Sequence, residues 1–243
     1  MKHPILSAIA CVVGVYAVLS RVAKRVLGRP LSVGETRITA LHDDTRIDHE
    51  GRVSSIQSAD VTMATAALDA IWSPLNLERL ARTYWRFLTR CTLGLIRVDY
   101  SEAKRYVVFL RRPFVLLVFH QPEYALNDGH GQVRWRIENG ILVAPQGYGA
   151  DGFLKIDVRR SPGETDAVAA LHVEVEVANF YPRIAWGIAA WVYQATQSRI
   201  HVLVTYGFLR SLARLDLADS RVGRFAVKPM PEPAEPVRAP DQP

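Results

Sequence analysis

Three runs of alternating residues constrain this chain more than any other feature. Val133, Trp135 and Ile137 alternate with Arg134, Arg136 and Glu138, and Leu154, Ile156 and Val158 alternate with Lys155, Asp157 and Arg159. Leu171, Val173, Val175 and Val177 alternate with His172, Glu174 and Glu176. Successive side chains of a strand point to opposite faces, so each run has one apolar and one charged face. Such strands belong in an antiparallel sheet with one wet and one covered face. The last two flank a turn at Ser161–Asp166, and pairing them sets Lys155 and Arg159 opposite Glu174 and Glu176. Val53–Ala64, Arg105–Leu110 and Pro113–Phe119 read as further strands, and Asn139-Gly140 followed by Ile141–Ala144 is a hairpin signal.

A sheet with one apolar face needs a cover, and two segments compete for that place. Ser73-Pro74 opens a helix, with Ser as N-cap and Pro in the first turn. Leu77, Leu80, Ala81, Tyr84, Leu88, Cys91 and Leu95 share one of its faces, while Arg79, Arg82, Arg86 and Arg90 form a row on another. The row reads either as a solvated face or as a contact with acidic headgroups or a membrane-protein partner. Tyr181–Leu217 is longer and more apolar, and as a helix it carries a narrow row of small and polar residues: Gly187, Ala190, Gln194, Gln197, Ser198, His201 and Thr205. Its apolar bulk makes it the expected cover. If the helix runs straight, the polar row faces the sheet and needs water, partners or a ligand cavity; if it breaks near Gly207, the row faces water. Gln194, Gln197, Arg199 and His201 in mid-stretch argue against a membrane span there.

The 243 residues leave room for one domain and a segment at each end. Residues 1–30 are expected to be a transmembrane anchor with a basic juxtamembrane segment, 31–52 a polar linker, 53–218 the folded domain and 219–243 a disordered, proline-rich tail. Pro4–Ser20 has no charge and as a helix spans roughly 25 Å, just short of a bilayer core. A cleavable signal peptide is the competing reading, opposed by the lack of a small-x-small cleavage site and by the basic residues that follow. Arg21, Lys24, Arg25 and Arg29 place the body of the protein in the cytoplasm by the positive-inside rule and set this cluster against membrane lipids. The expected location is the cell membrane, single-pass, with the domain on the cytoplasmic side.

Chemistry-bearing motifs are scarce. Gln146–Gly152 has the glycines of a phosphate loop but lacks Lys-Ser/Thr and precedes a strand, so no helix N-terminus is available to an anion. His42, Asp43, Asp44, Asp48, His49 and Glu50 supply metal-ligand types without a ligand spacing, and read as a solvated linker. Ser198 and His201 lack an orienting acid. The net charge of +6 is compatible with an acidic partner, but the arginines are dispersed over several elements and nucleic acid is not expected. No catalytic motif, cofactor or metal is expected.

The order of elements, the valine-rich strand at His172–Val177 and the helix entered at Tyr181-Pro182 resemble the START-like helix-grip superfamily (SRPBCC), which includes polyketide cyclases and lipid-transfer domains. The resemblance implies an α+β fold in which an antiparallel sheet curls around the long C-terminal helix and encloses an apolar cavity, here preceded by the transmembrane helix. It implies a membrane-anchored binding protein for a lipid or other hydrophobic small molecule, with Trp135, Trp186, Tyr193, Gln194 and His201 lining the site. A cyclase/aromatase-type enzyme using His201 or Tyr193 as acid/base, and a non-catalytic membrane adaptor, are the alternatives.

Overall fold

A computed structural model describes residues 36–183, 208, 209, 211, 212 and 214–219. In chain order the strands are β1 Arg37–Ile47, β2 Val53–Ala64, β3 Ile96–Tyr100, β4 Lys104–Phe109, β5 Val115–His120, β6 Glu123–Leu126, β7 His130–Asn139, β8 Phe153–Pro162 and β9 Val168–Phe180. Two helices, α1 Thr65–Ile71 and α2 Pro74–Cys91, lie between β2 and β3. The strands form one antiparallel sheet in the order β1-β2-β9-β8-β7-β5-β4-β3, with β6 also on β7. β6 pairs with one end of β7, at Glu123↔Arg134, and β5 with the other, at Phe119↔Ile137. Between them stands Pro122, which has no N–H to give the ladder, so the pairing along β7 is interrupted there.

The alternating runs behave as their period requires. Val133, Trp135, Leu154, Ile156, Val158, Leu171, Val173 and Val175 are all buried. Across the wet face Lys155 meets Glu176 at 2.6 Å and Glu174 at 3.4 Å. Arg37–Ile47, read from the sequence as part of a polar linker, pairs along β2 as the sheet's outer strand. The Asn139-Gly140 signal does not make a hairpin. Ile141 and Leu142 instead donate to the carbonyls of Val115 and Leu116, and a Cβ on Gly140 would lie 2.3 Å from the Leu116 oxygen. The glycine therefore serves close backbone approach to β5 and not a two-residue turn.

α2 begins as the sequence requires: Ser73 is extended, its hydroxyl accepts from the Asn76 N–H at 3.3 Å, and Pro74 fills the first turn. The helix buries Leu77, Leu80, Ala81, Tyr84 and Trp85. The Trp85 ring meets Trp135 edge-on at 5.2 Å and Phe119 at 5.6 Å, so aromatic contacts join the helix to β7 and β5. Phe208, Leu209, Leu212 and Leu217 enter the same core, with Phe208 6.1 Å from Tyr84.

These features correct the helix-grip expectation. The described helices have 7 and 18 residues, and among the described residues no long C-terminal helix is present for the sheet to curl around. The sheet is open, with β1 and β3 at its edges. A mid-chain helix with two large aromatic anchors, Tyr84 and Trp85, packs on the core together with Phe208, Leu209, Leu212 and Leu217. The transmembrane expectation is corrected as well: among the described residues no helix is long and apolar enough to cross a membrane. The run at 4–20 and the cluster Arg21, Lys24, Arg25 and Arg29 lie outside the described residues. That run was itself shorter than a bilayer core, and the single-pass location, the cytoplasmic placement and the membrane-lipid partner that rested on it are withdrawn.

Candidate docking surface

The arginine row of α2 is used internally, which corrects its reading as a partner contact. Arg79 donates to the carbonyls of Ala218 at 3.1 Å and Leu217 at 3.4 Å, and to Asn76 Oδ1 at 3.0 Å. Arg86 donates to Ser211 Oγ at 3.2 Å and the Asp216 carbonyl at 2.7 Å, and lies 3.4 Å from the Asp216 carboxylate. Thr83 Oγ1, between them, accepts from the Ala218 N–H at 2.8 Å. One helix face thus clamps the chain at 216–218 by satisfying its backbone groups. Arg90 lies over the Phe87 ring at 5.8 Å.

Arg82 joins a largely buried charge cluster. It lies 3.9 Å from Glu78, which is buried, and its guanidinium sits 4.4 Å over the Tyr100 ring. Arg105, also buried, approaches the same ring at 5.1 Å and donates to the carbonyls of Ser101 and Lys104. Burial pulls the Arg105 pKa down, and burial followed by the Glu78 charge pushes the Tyr124 phenol up. This cluster joins α2 to β3, β4 and β6, with Glu78 and Arg105 buried and the Tyr100 ring partly open to water.

The wet face is likewise paired from side to side. His130 Nε2 meets Asp157 at 2.8 Å, Arg159 meets the same carboxylate at 3.0 Å, His172 meets Asp60 at 2.7 Å, and Arg136 meets Glu123 at 2.9 Å. Burial alone would lower the Lys155 pKa, but Glu176, Asp157 and Glu174 outweigh it and the net shift is upward. Among the described residues no group of three His, Cys, Asp or Glu is placed to hold a metal ion.

One end of the sheet is different. The start of β3, the end of β4 and the start of β5 lie together there, tied by bonds from Leu110 N to Leu95 O at 2.7 Å and from Phe109 N to Phe114 O at 2.9 Å. Leu93 is 72% exposed, Phe114 53%, Leu110 50%, Phe109 40% and Leu95 36%. Leu93 follows the cap of α2 in the left-handed conformation, with φ 53°; Gly94 N bonds Thr89 O at 2.8 Å and Leu93 N bonds Arg90 O at 3.1 Å. That is a Schellman motif with leucine where glycine is usual. Leu110 is also left-handed, at φ 60°. Two exposed leucines thus occupy positions that disfavour them both by backbone and by solvation. The segments that carry them also hold Arg90, Arg97, Arg111 and Arg112, of which Arg112 turns to Asp99 at 3.4 Å and to the Tyr106 ring at 4.3 Å.

An open cleft of about 640 Å³ continues from this end. Pro113, Val115, Val118, Ile141 and Tyr148 give it apolar walls, and Glu138, Asn139 and Arg183 supply polar groups. Lys104 Nζ lies 2.7 Å from the Glu138 carboxylate, and that hydrogen bond raises the lysine's pKa. Among the described residues no carboxylate forms an ion pair with Arg183.

Of the site residues expected from the sequence, Trp135 is described, 1% exposed and packed on Trp85. Trp186, Tyr193, Gln194 and His201 lie outside the described residues. Sequence reasoning passed over the apolar end because it placed Phe109 and Leu110 in one strand and Pro113 and Phe114 in the next, where large apolar residues draw no notice. Its signal was present: Phe-Leu-Arg-Arg-Pro-Phe puts large apolar residues where turns are usually polar, and Thr-Leu-Gly closes a helix with leucine.

No family model matches the chain, and no curated protein sequence matches it. Solved structures give low-scoring likenesses. A conserved protein of unknown function from Enterococcus faecalis is 13% identical, covering 74% of this chain and 82% of that one, with a TM-score of 0.25. Ara h 8.0201 is 9% identical over 66% of this chain and 99% of its own, with a TM-score of 0.28. CalU16 from Micromonospora echinospora is 10% identical over 70% and 98%, with a TM-score of 0.21. Scores at this level carry no argument about fold or function. The open sheet and the mid-chain helix among the described residues overturn the START-like resemblance and the enclosed hydrophobic-ligand site implied by it.

Proposed function

We propose that this chain is a non-catalytic docking module that seats an amphipathic segment of another protein on the surface formed by Leu93, Leu95, Leu110 and Phe114. The observation that carries the reading is the pair of exposed leucines in left-handed backbone at one sheet end. Strain retained at solvent-exposed positions is characteristic of sites that contact something else. Apolar area rimmed by polar groups is the usual character of a protein contact. Arg90, Arg97 and Arg111, carried by the same segments and in no ion pair with a described carboxylate, favour an acidic border on the partner and disfavour a second copy presenting the same face, since like charges would be set opposite one another.

The test is selection from a displayed random-peptide library on the full chain, with a Leu110→Asn/Phe114→Ser variant as comparison. Both changes are at half-exposed positions, and Asn tolerates the left-handed conformation, so the variant keeps its fold. Peptides enriched in large apolar residues that bind the natural chain and not the variant support the reading. Selected peptides that bind both equally refute it.

A further inference from the structure

The cleft beside this surface extends the docking reading and rests on it. We propose that the cleft receives a carboxylate-bearing, extended part of the same partner segment, with Arg183 as the group that recognises the carboxylate. Three observations carry this beyond the presence of a depression in the surface.

The first is charge. Glu138 is the acidic group among the lining residues, and it is already neutralised by Lys104 at 2.7 Å, with His120 at 3.8 Å on the same carboxylate. Arg183 adds a cation that no described carboxylate pairs, so with Glu138 answered by Lys104 from outside the lining, the cleft and that lysine together carry one positive charge in excess. An anionic group is the complement to that lining, and a guanidinium presents a fork of donors matched to a carboxylate.

The second is the fixed position of the arginine. The Arg183 N–H donates to Leu142 O at 2.8 Å, Pro182 bridges to Val143, and Ala144 N donates to Tyr181 O at 2.8 Å. The other side of the same short ribbon is held on β5 through Ile141 and Leu142, at the spacing that Gly140 permits. The base of the Arg183 side chain is thereby tied by backbone bonds to the strands that form the cleft wall.

The third is continuity. Pro113 belongs to the connection that carries Leu110 and Phe114, and it also lines the cleft beside Val115, Ile141 and Tyr148. A segment whose apolar side chains rest on the leucines therefore runs onto the cleft without leaving apolar surface. Ile141 and Tyr148 are 47% and 49% exposed, leaving area for it to cover.

The experiment is fluorescence anisotropy on the full chain with a short labelled peptide alternating Glu with Leu, against a counterpart alternating Lys with Leu. The natural chain is expected to bind the Glu peptide and not the Lys peptide. Arg183→Glu is expected to weaken the Glu peptide by about tenfold or more and to gain binding of the Lys peptide, because a reversed charge is answered by a reversed ligand. Ile141→Ser, with Arg183 intact, is expected to weaken the Glu peptide severalfold. Circular dichroism establishes that each variant is folded. If Leu110→Asn/Phe114→Ser abolishes binding while Arg183→Glu leaves it unchanged, the docking surface stands and the cleft assignment falls. Absence of Glu-peptide binding, equal binding of both peptides, or binding to anionic phosphatidylglycerol vesicles in place of the peptide overturns it.

Discussion

Replacing Leu93 by Asn is expected to make the protein more stable and a poorer binder. Leucine in left-handed backbone costs about 1–2 kcal/mol, and asparagine is among the residues that accept this conformation at the end of a helix. Against this relief stands the lost packing of the leucine. The side chain is 72% exposed, so little more than a quarter of the approximately 2 kcal/mol that full burial is worth, about 0.5 kcal/mol, is at stake. Relief exceeds loss, and the expected gain is about 0.5–1.5 kcal/mol. For a domain of this size that raises Tm by roughly 1–6 °C. Urea unfolding followed by tryptophan fluorescence measures it, with an unchanged denaturant slope showing that stability and not compactness moved. Binding of library-selected peptides is expected to fall about tenfold in the same variant, since large apolar contacts at an interface centre carry much of the affinity. A loss of stability greater than about 0.5 kcal/mol would refute the reasoning, because Leu93 would then be holding the cap in place. A gain in stability with unaltered peptide binding would remove Leu93 from the docking surface.

Three other expectations follow from the interior. Glu78→Leu leaves Arg82 and Arg105 without their shared carboxylate and is expected to cost about 3 kcal/mol, measured by urea unfolding; a change below about 1 kcal/mol would show that the cluster is solvated. The Cys91 thiol, pushed up to about 11 by burial from an ordinary 9.0, is expected to react with iodoacetamide at pH 8 about a hundredfold more slowly in the folded protein than after unfolding. Equal rates would place the thiol in water. Burial raises the Tyr84 phenol, so its folded pKa lies above its unfolded one. Its stabilising contribution is full below about pH 10 and is lost as pH rises, because the unfolded chain releases its proton first. Lys155, whose pKa is also raised, acts in the same direction. Tyr84→Phe is expected to shallow the fall in stability above pH 10, as read from urea midpoints across that range, and an unaltered slope would contradict the assignment.

The amphipathic helix at 74–91 shows how far local reading reaches and where it stops. Ser73-Pro74 specifies the start because capping is settled within three residues, and the burial of Leu77, Leu80, Ala81 and Tyr84 follows from the helical period alone. The arginines on its other face had a correct periodicity and a wrong destination. Their partners are carbonyls at 216–218, more than a hundred residues away, and no local pattern contains that information. Asn139-Gly140 failed for the same reason: the glycine answers the backbone of β5 and not its neighbours in sequence. The docking surface was only partly legible, because Leu93 and Leu110 are conspicuous residues for their positions but become one surface through the Leu110–Leu95 bond.

By itself, then, the sequence determined which residues alternate, which faces are apolar, where α2 begins, and that Lys155 meets Glu174 and Glu176 across adjacent strands, whereas Arg159, expected to share those glutamates, lies opposite His172 and meets Asp157. Each is set by a period or a near-neighbour contact. Only the tertiary structure decided which element covers the sheet, where the arginines of α2 go, how β5 and β6 share β7, and that two distant leucines meet at one end. Each of those depends on contacts between segments far apart in sequence, where several arrangements satisfy the same hydrophobic pattern and side-chain shape selects among them: Trp85 against Trp135 places α2, and the missing N–H of Pro122 interrupts the pairing along β7.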